Sequence, residues 1–213
     1  MCFFNSLSVN ATTLETRYQA GFPEGGTFTA VKKGNAFAGI SWPVITGEDT
    51  KKIVMQEWGL VPSWTPDAET AKKLRIQTLN ARSETAFEKP SFRNSIKSRR
   101  CIIPSTGFYE WQHDGKKKIP WFIRIKDMEI FSIAGIWDEW SDRSTGEIYR
   151  GFSILTTEAN PVMARIHNTK KRMPVILKAG NEMQWISNEI SKETIVSSCV
   201  PLSEDLIEAE IVQ

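Results

Sequence analysis

The sequence is poor in the residues that build extracellular and metal-centred folds. Its three cysteines, Cys2, Cys101 and Cys199, are an odd number with no CxxC spacing. They give no sign of a disulfide framework or a zinc site, and they suit a reducing compartment. No apolar run approaches the roughly 20 residues that cross a bilayer, and the N-terminus lacks a basic segment followed by an apolar signal core. A cytoplasmic protein with no membrane partner is therefore expected. Repeats, low-complexity tracts and long linkers are missing as well, so one domain is expected over residues 2–213. The charge balance is nearly even, at 27 basic against 25 acidic residues, and says little by itself about a polyanionic partner.

What is present is a globular composition, 40% hydrophobic and 24% charged, long enough to bury a core. Basic residues cluster at Arg93 to Arg100, Lys116 to Lys118 and Lys170 to Arg172. Each cluster suits a phosphate backbone or, equally, a solvated loop. Eight tryptophans are a heavy load. Some must be core, while Trp58 and Trp64, near a glycine and prolines, are candidates for stacking on unpaired bases.

Along the chain, TTLE at Thr12 to Glu15 has the capping-box pattern and predicts a short helix through Tyr18. From Phe22 to Ile53, TFTAV and PVIT read as strands broken by GG, KKGN and Pro43. QEWGLVPSW reads as a strand entering an exposed loop. Ser83 and Ser91 are plausible helix starts, and CII is a buried strand ended by Pro104. GFYEW, WFIRI, IFSIAGIW and YRGFSILTT, joined by short turns, predict an antiparallel meander curled like a barrel. Asn160 and Pro161 then start a helix to about His167. RMPVIL follows as a strand, with helices at MQWI and KETIVSS. The fold class is α+β, a mainly antiparallel barrel-like core flanked by short helices.

Cys2 is the residue with unusual chemistry. If Met1 is removed, it presents a thiol beside a free amine of pKa about 7.7–8.0, partly neutral at cytosolic pH. An aldehyde would condense with that amine, and the thiol could close a thiazolidine ring intramolecularly. The same group could act as an N-terminal nucleophile on amides, or be incidental. Only two histidines are present. His113 lies in a polar turn and has no assigned role. His167 ends a helix beside a cationic run, where it could move protons or merely bond free carbonyls. In GFYEW, strand alternation puts Phe108, Glu110 and Gln112 on one face and Tyr109 and Trp111 on the other. Burial would raise the pKa of Glu110 toward an acid–base value, and exposure would leave it ordinary. Asn80 and Arg82 in LNARSE suit a sugar oxygen and a phosphate, or a plain loop.

Taken in order, MC at the start, WGLVPSW, LNARSET, GFYEW and IHNTKKRMPVIL resemble the SRAP family, the SOS response-associated peptidases also described as abasic-site processing proteins. The resemblance implies an α+β domain with a curled β core and a cationic cleft for single-stranded DNA. It implies that Cys2 joins the aldehyde of an abasic site as a thiazolidine, that Asn80 orients sugar and cysteine, and that Glu110 and His167 exchange protons. It places Arg82 and Arg172 near phosphates and Trp64 beside flanking bases, with strand cleavage and peptidase-type autoprocessing as further family activities. The implied partner is abasic single-stranded DNA, met at the nucleoid during DNA damage by a monomer that needs no cofactor and no metal. Two departures stand out. Phe3 and Phe4 replace the usual MCGR start, whose arginine approaches DNA. NTKK lengthens the loop before RMP, which offers Lys170 and Lys171 as substitutes for Arg172. The family commonly continues beyond the position of EAEIVQ, so a final strand or edge is expected to be missing.

Overall fold

A computed structural model describes residues 2–24 and 26–212. Met1, and with it the expectation of its removal, lies outside the described residues, as do Gly25 and Gln213. The chain begins with β1 (Phe4–Leu7), α1 (Ala11–Tyr18), β2 (Val31–Asn35), β3 (Ser41–Thr46) and β4 (Ile53–Trp58). Next come α2 (Ala68–Gln77), β5 (Asn80–Arg82), α3 (Ser95–Ser98) and β6 (Arg100–Ser105). The expected meander is β7 (Gly107–Asp114), β8 (Lys117–Ile125), β9 (Phe131–Ser141) and β10 (Ile148–Glu158). The chain finishes with α4 (Pro161–Ile166), β11 (Arg172–Pro174), β12 (Ile176–Leu177), α5 (Glu182–Ile186), α6 (Lys192–Ser198) and β13 (Ile207–Ile211).

Five strands close on themselves in the order β10-β4-β3-β6-β9, because β10 pairs with both β4 and β9. The β10–β4 pairing is parallel and the other four are antiparallel. The barrel interior is aromatic and aliphatic. Trp42 meets Trp58 edge-on at 6.4 Å, and Trp58 stacks on Phe152 at 6.0 Å. Both indole N–H groups are satisfied, Trp42 donating to the Pro104 carbonyl and Trp58 to the Leu79 carbonyl, each at 2.9 Å. Trp58 is thus fully buried and belongs to the core, which removes it as a contact for bases; truncating such a residue costs about 3–5 kcal/mol.

The second sheet is antiparallel and open, in the order β13-β8-β7-β1-β2. Here the local expectations need correcting. TFTAV forms a strand only at its last residue, and KKGN is itself strand, because Phe4 and Asn5 of β1 pair with Asn35 and Gly34. Gly34 is required there, since a Cβ would lie 2.6 Å from the Trp42 ring. The cap of α1 is Asn10 rather than Thr12, its Oδ1 accepting from the Thr13 N–H at 2.9 Å. β6 runs through Pro104 instead of stopping at it. α2, capped by Asp67, answers to no expected helix, and Ser83 opens only a 3-10 turn. The last described residues form the edge strand β13, paired with β8. No helix among the described residues is long and apolar enough to cross a membrane.

Candidate active site

The site lies where the barrel meets one edge of β7. Antiparallel register, Phe4 opposite Tyr109 and Asn5 opposite Phe108, carries the start of the chain alongside Glu110. From the barrel side, β5 runs parallel to β10 and is aligned through Ile154 and Asn80. The alternation on β5 turns Ala81 into the core and leaves Asn80 half-buried and Arg82 exposed. Asn80 reaches across to donate from Nδ2 to the Cys2 carbonyl at 2.9 Å. Two sheets thereby fix one terminal residue.

Cys2 is fully buried despite its place near the chain end. Its thiol donates to the Phe4 carbonyl at 3.7 Å. Burial, and after it the Glu110 charge, push the thiol pKa well above the ordinary cysteine value. The resting thiol is therefore protonated. Glu110 shares a face with Phe108, as the alternation of GFYEW predicts; that face points inward, and Glu110 is 4% exposed. Burial pushes its carboxyl up to about 7, where it can accept or give a proton at neutral pH.

His167 is the C-cap of α4, whose start at Asn160 and Pro161 has the expected geometry, Asn160 Oδ1 accepting from the Met163 N–H at 2.8 Å. Burial lowers the imidazole pKa to about 4, so the ring is neutral near pH 7. Its Nδ1 lies 3.0 Å from the Arg172 carbonyl oxygen and 3.3 Å from the Arg172 backbone nitrogen, whose N–H points at it. In the tautomer that donates to the carbonyl, Nε2 keeps a lone pair for accepting a proton.

The lengthened NTKK loop has a definite structure. The Asn168 amide mimics a strand, accepting from the His113 N–H at 3.0 Å and donating to the His113 carbonyl at 2.8 Å. A β-strand residue sends its N–H and C=O to the same side. Asn168 thus occupies the edge of β7 that β1 occupies further back, and ties the His167 end of α4 to the strand of Glu110. Lys171 then takes φ +50°, and its N–H returns to the His167 carbonyl at 2.9 Å. Lys170 and Lys171 stay exposed.

Arg172 does not face solvent. It is 5% exposed, its guanidinium grips Glu84 in two hydrogen bonds of 2.6 and 2.7 Å, and Nη2 also donates to the Thr156 carbonyl at 2.6 Å. Burial alone would raise the Glu84 carboxyl, but the Arg172 hydrogen bonds, a backbone hydrogen bond and the Arg172 and Arg82 charges together outweigh it and hold the group below the usual glutamate range. Where Arg172 was expected near a phosphate, its fork here is occupied by a carboxylate, and Arg82, Lys170 and Lys171 are exposed cations of this region. Glu84 and Asn168 are the contributors that motif reading misses. Glu84 stands inside LNARSET, but its partner is 88 residues away. The basic run ending at Arg100 is likewise partly structural. Arg100 is buried against main-chain carbonyls of Ile96, Lys97 and Trp185, and Arg99 pairs with Asp138.

Trp64 is 49% exposed on the loop after β4. Gly59 enters that loop at φ +131°, with Arg75 too close to admit a side chain. Asp138 accepts from the Ser63 N–H at 3.0 Å, and Trp140 Nε1 donates to the Thr65 carbonyl at 2.8 Å. The loop is held on both sides of Trp64. Among the described residues no hydrogen bond or ring contact joins Trp64 to Cys2, Asn80 or Glu110.

Comparison with known proteins fits this arrangement. The family model "SOS response associated peptidase (SRAP)" matches residues 1–213. The abasic site processing protein YoaM of Bacillus subtilis is 38% identical over 168 residues, which is 78% of this chain and 70% of the relative. The abasic site processing protein HMCES of Gallus gallus is 30% identical over 160 residues, 65% of this chain and 46% of the longer relative. A crystal structure of a Bacteroides thetaiotaomicron protein superimposes with a TM-score of 0.96 at 41% identity, covering 100% of this chain and 92% of that one. With its barrel, its buried Cys2 and its inward Glu110, the chain belongs to the SOS response-associated peptidase (SRAP) family of abasic site processing proteins.

Proposed function

We propose that this protein captures abasic sites in single-stranded DNA as a covalent thiazolidine on Cys2 after removal of Met1. The observation that carries the reading is the burial of Glu110, a carboxyl titrating near neutrality, beside Cys2. The freed amine attacks the C1′ aldehyde, and the carbinolamine loses water to an imine. The thiol sulfur then adds to the imine carbon while its proton passes to nitrogen. No electrons are gained or lost and no cofactor enters. Glu110 serves as the proton carrier, taking a proton from the attacking amine and giving one to the departing hydroxyl. Asn80 holds the Cys2 carbonyl, so the reacting end alone is left to move. Neutral His167 carries the thiol proton across to the imine nitrogen during ring closure. Arg82, Lys170 and Lys171 offer charge to the phosphates, and Trp64 offers a face to a flanking base.

The raised thiol pKa also bears on the peptidase reading. An amide hydrolase needs a thiolate at the first step, whereas imine formation begins at the amine and uses the thiol second. The environment of Cys2 favours the second order of events. Incubation of Met-processed protein with an abasic single strand should give a complex that survives denaturing electrophoresis, and Cys2→Ala should give none. A wild-type protein whose intact mass confirms loss of Met1, yet which forms no adduct, would sink the reading.

A further inference from the structure

A cavity of about 740 Å³ opens between β12, the turn after β8, α5, α6 and the segment that follows α6. None of Cys2, Asn80, Glu110 and His167 lines it. Its floor is apolar, since Ile176 and Leu177 of β12 are 5% and 3% exposed. Val200, and Leu206 at the end of the 3-10 turn Glu204–Leu206, stand in the wall and still reach solvent, at 48% and 37% exposure. Hydrogen bonds hold that wall in place. Thr157 Oγ1 donates to the Cys199 carbonyl at 3.0 Å, Asn160 Nδ2 to the Leu202 carbonyl at 2.8 Å, and the Lys126 N–H to the Leu206 carbonyl at 2.9 Å. The cavity is thus preformed, as small-molecule sites mostly are.

The charges that line the cavity have one sign. Lys126 and Lys178, both exposed, belong to the lining, and among the described residues no Asp or Glu does. The acids close by in the chain are turned to other uses. Glu182 holds Arg17 and the Gly180 N–H, Asp205 accepts from the Ser203 hydroxyl, and Asp127 and Glu129 line the neighbouring cleft with Arg17. Glu204 is exposed and does not line the cavity.

We propose that this cavity binds a small amphipathic carboxylate, its apolar chain along Ile176, Leu177 and Leu206 and its anionic head at Lys126 and Lys178. An apolar chain gains by leaving water for such a floor. An ammonium at the solvent edge meets a carboxylate without the desolvation cost of a buried pair. The volume falls within the range of about 300–1,000 Å³ usual for small ligands. A sugar or a free inorganic anion would leave the apolar floor uncovered, and a cationic amphiphile would meet two like charges. The inference stands independently of the abasic-site reading, because the two sites share no residue.

Equilibrium dialysis with radiolabelled decanoate tests the assignment. The label should bind saturably to the wild-type chain and be displaced by unlabelled decanoate. Decyltrimethylammonium, which carries the same chain with the opposite charge, should not displace it. The double variant Lys126→Glu, Lys178→Glu should weaken decanoate binding at least about tenfold, since each reversal turns an attraction into a repulsion of similar size. Ser197→Trp, at an exposed position of α6 in the lining, should abolish binding by filling the cavity. The lysine variant alters exposed side chains alone, so it decides the matter if Ser197→Trp fails to fold, and a melting temperature equal to that of the wild type verifies its fold. Absence of saturable binding to the wild type, equal displacement by the cation, or unchanged affinity in the lysine double variant would each overturn the proposal.

Discussion

Glu84 and Glu110 both stand inside sequence motifs, yet their surroundings divide them: Glu84 keeps 39% of its side chain exposed, whereas Glu110 is 4% exposed. Glu84 meets a guanidinium fork and is held ionised below the usual range. Glu110 enters a pocket where burial dominates, and its carboxyl rises to about 7. The first arrangement locks strand β11, and with it the Arg172 carbonyl against which His167 is set. The second keeps a proton in play. One site uses a charge to hold backbone in place; the other keeps a charge unsettled so that it can change during a reaction.

Glu84→Ala should produce the largest loss of stability. It leaves the buried Arg172 charge without its carboxylate, a loss of about 2 kcal/mol because Glu84 is itself partly exposed and the Thr156 bonds remain, and lowers the Tm by roughly 4–8 °C for a domain of this size. A melt showing no change would remove the contrast. Glu110→Gln should move the other way. The folded carboxyl titrates at about 7 and the unfolded one near 4.5, so between those values the unfolded state binds fewer protons and wild-type stability falls as pH rises. The substitution removes that cost, giving a gain on the order of 2 kcal/mol at pH 8 that disappears below about pH 4.5. The same variant should slow adduct formation about 100-fold, separating a residue kept for chemistry from one kept for structure. Asn168→Ala comes last. It removes two solvent-exposed hydrogen bonds to His113 and should cost about 1 kcal/mol. Hydrogen exchange at the His113 amide should quicken while the Glu84 contact stays protected.

Parts of this contrast can be read from sequence because they are local. Alternation in GFYEW places Glu110 on the face of Phe108, and Asn160 with Pro161 announces α4, since both depend on a few consecutive residues. The four strands of the meander are legible for the same reason, each turn joining neighbours. α2 is hidden by its polarity, as AETAKKLRIQ buries only Ala71 and gives little apolar periodicity to detect. Barrel closure is hidden too, because the parallel pairing of β10 with β4 and β5 joins segments far apart in the chain. The residue type of Arg172 fits a phosphate as well as it fits Glu84, and only the fold decides between them. Cys2 is the instructive case, since position near a terminus argues for exposure while Asn80 and the β1–β7 register draw it fully inside.

Closing the barrel has a consequence for how the molecule meets copies of itself. A ring of strands leaves no open edge, and the strands added outside it, β5, β11 and β12, are three, three and two residues long. The longer unpaired edges are β2, which carries Lys32 and Lys33, and β13, which carries Glu208 and Glu210. Two identical edges brought side by side would set lysine against lysine or glutamate against glutamate. Like charges at an edge discourage strand addition, so the open sheet can keep its backbone in water without seeding an aggregate.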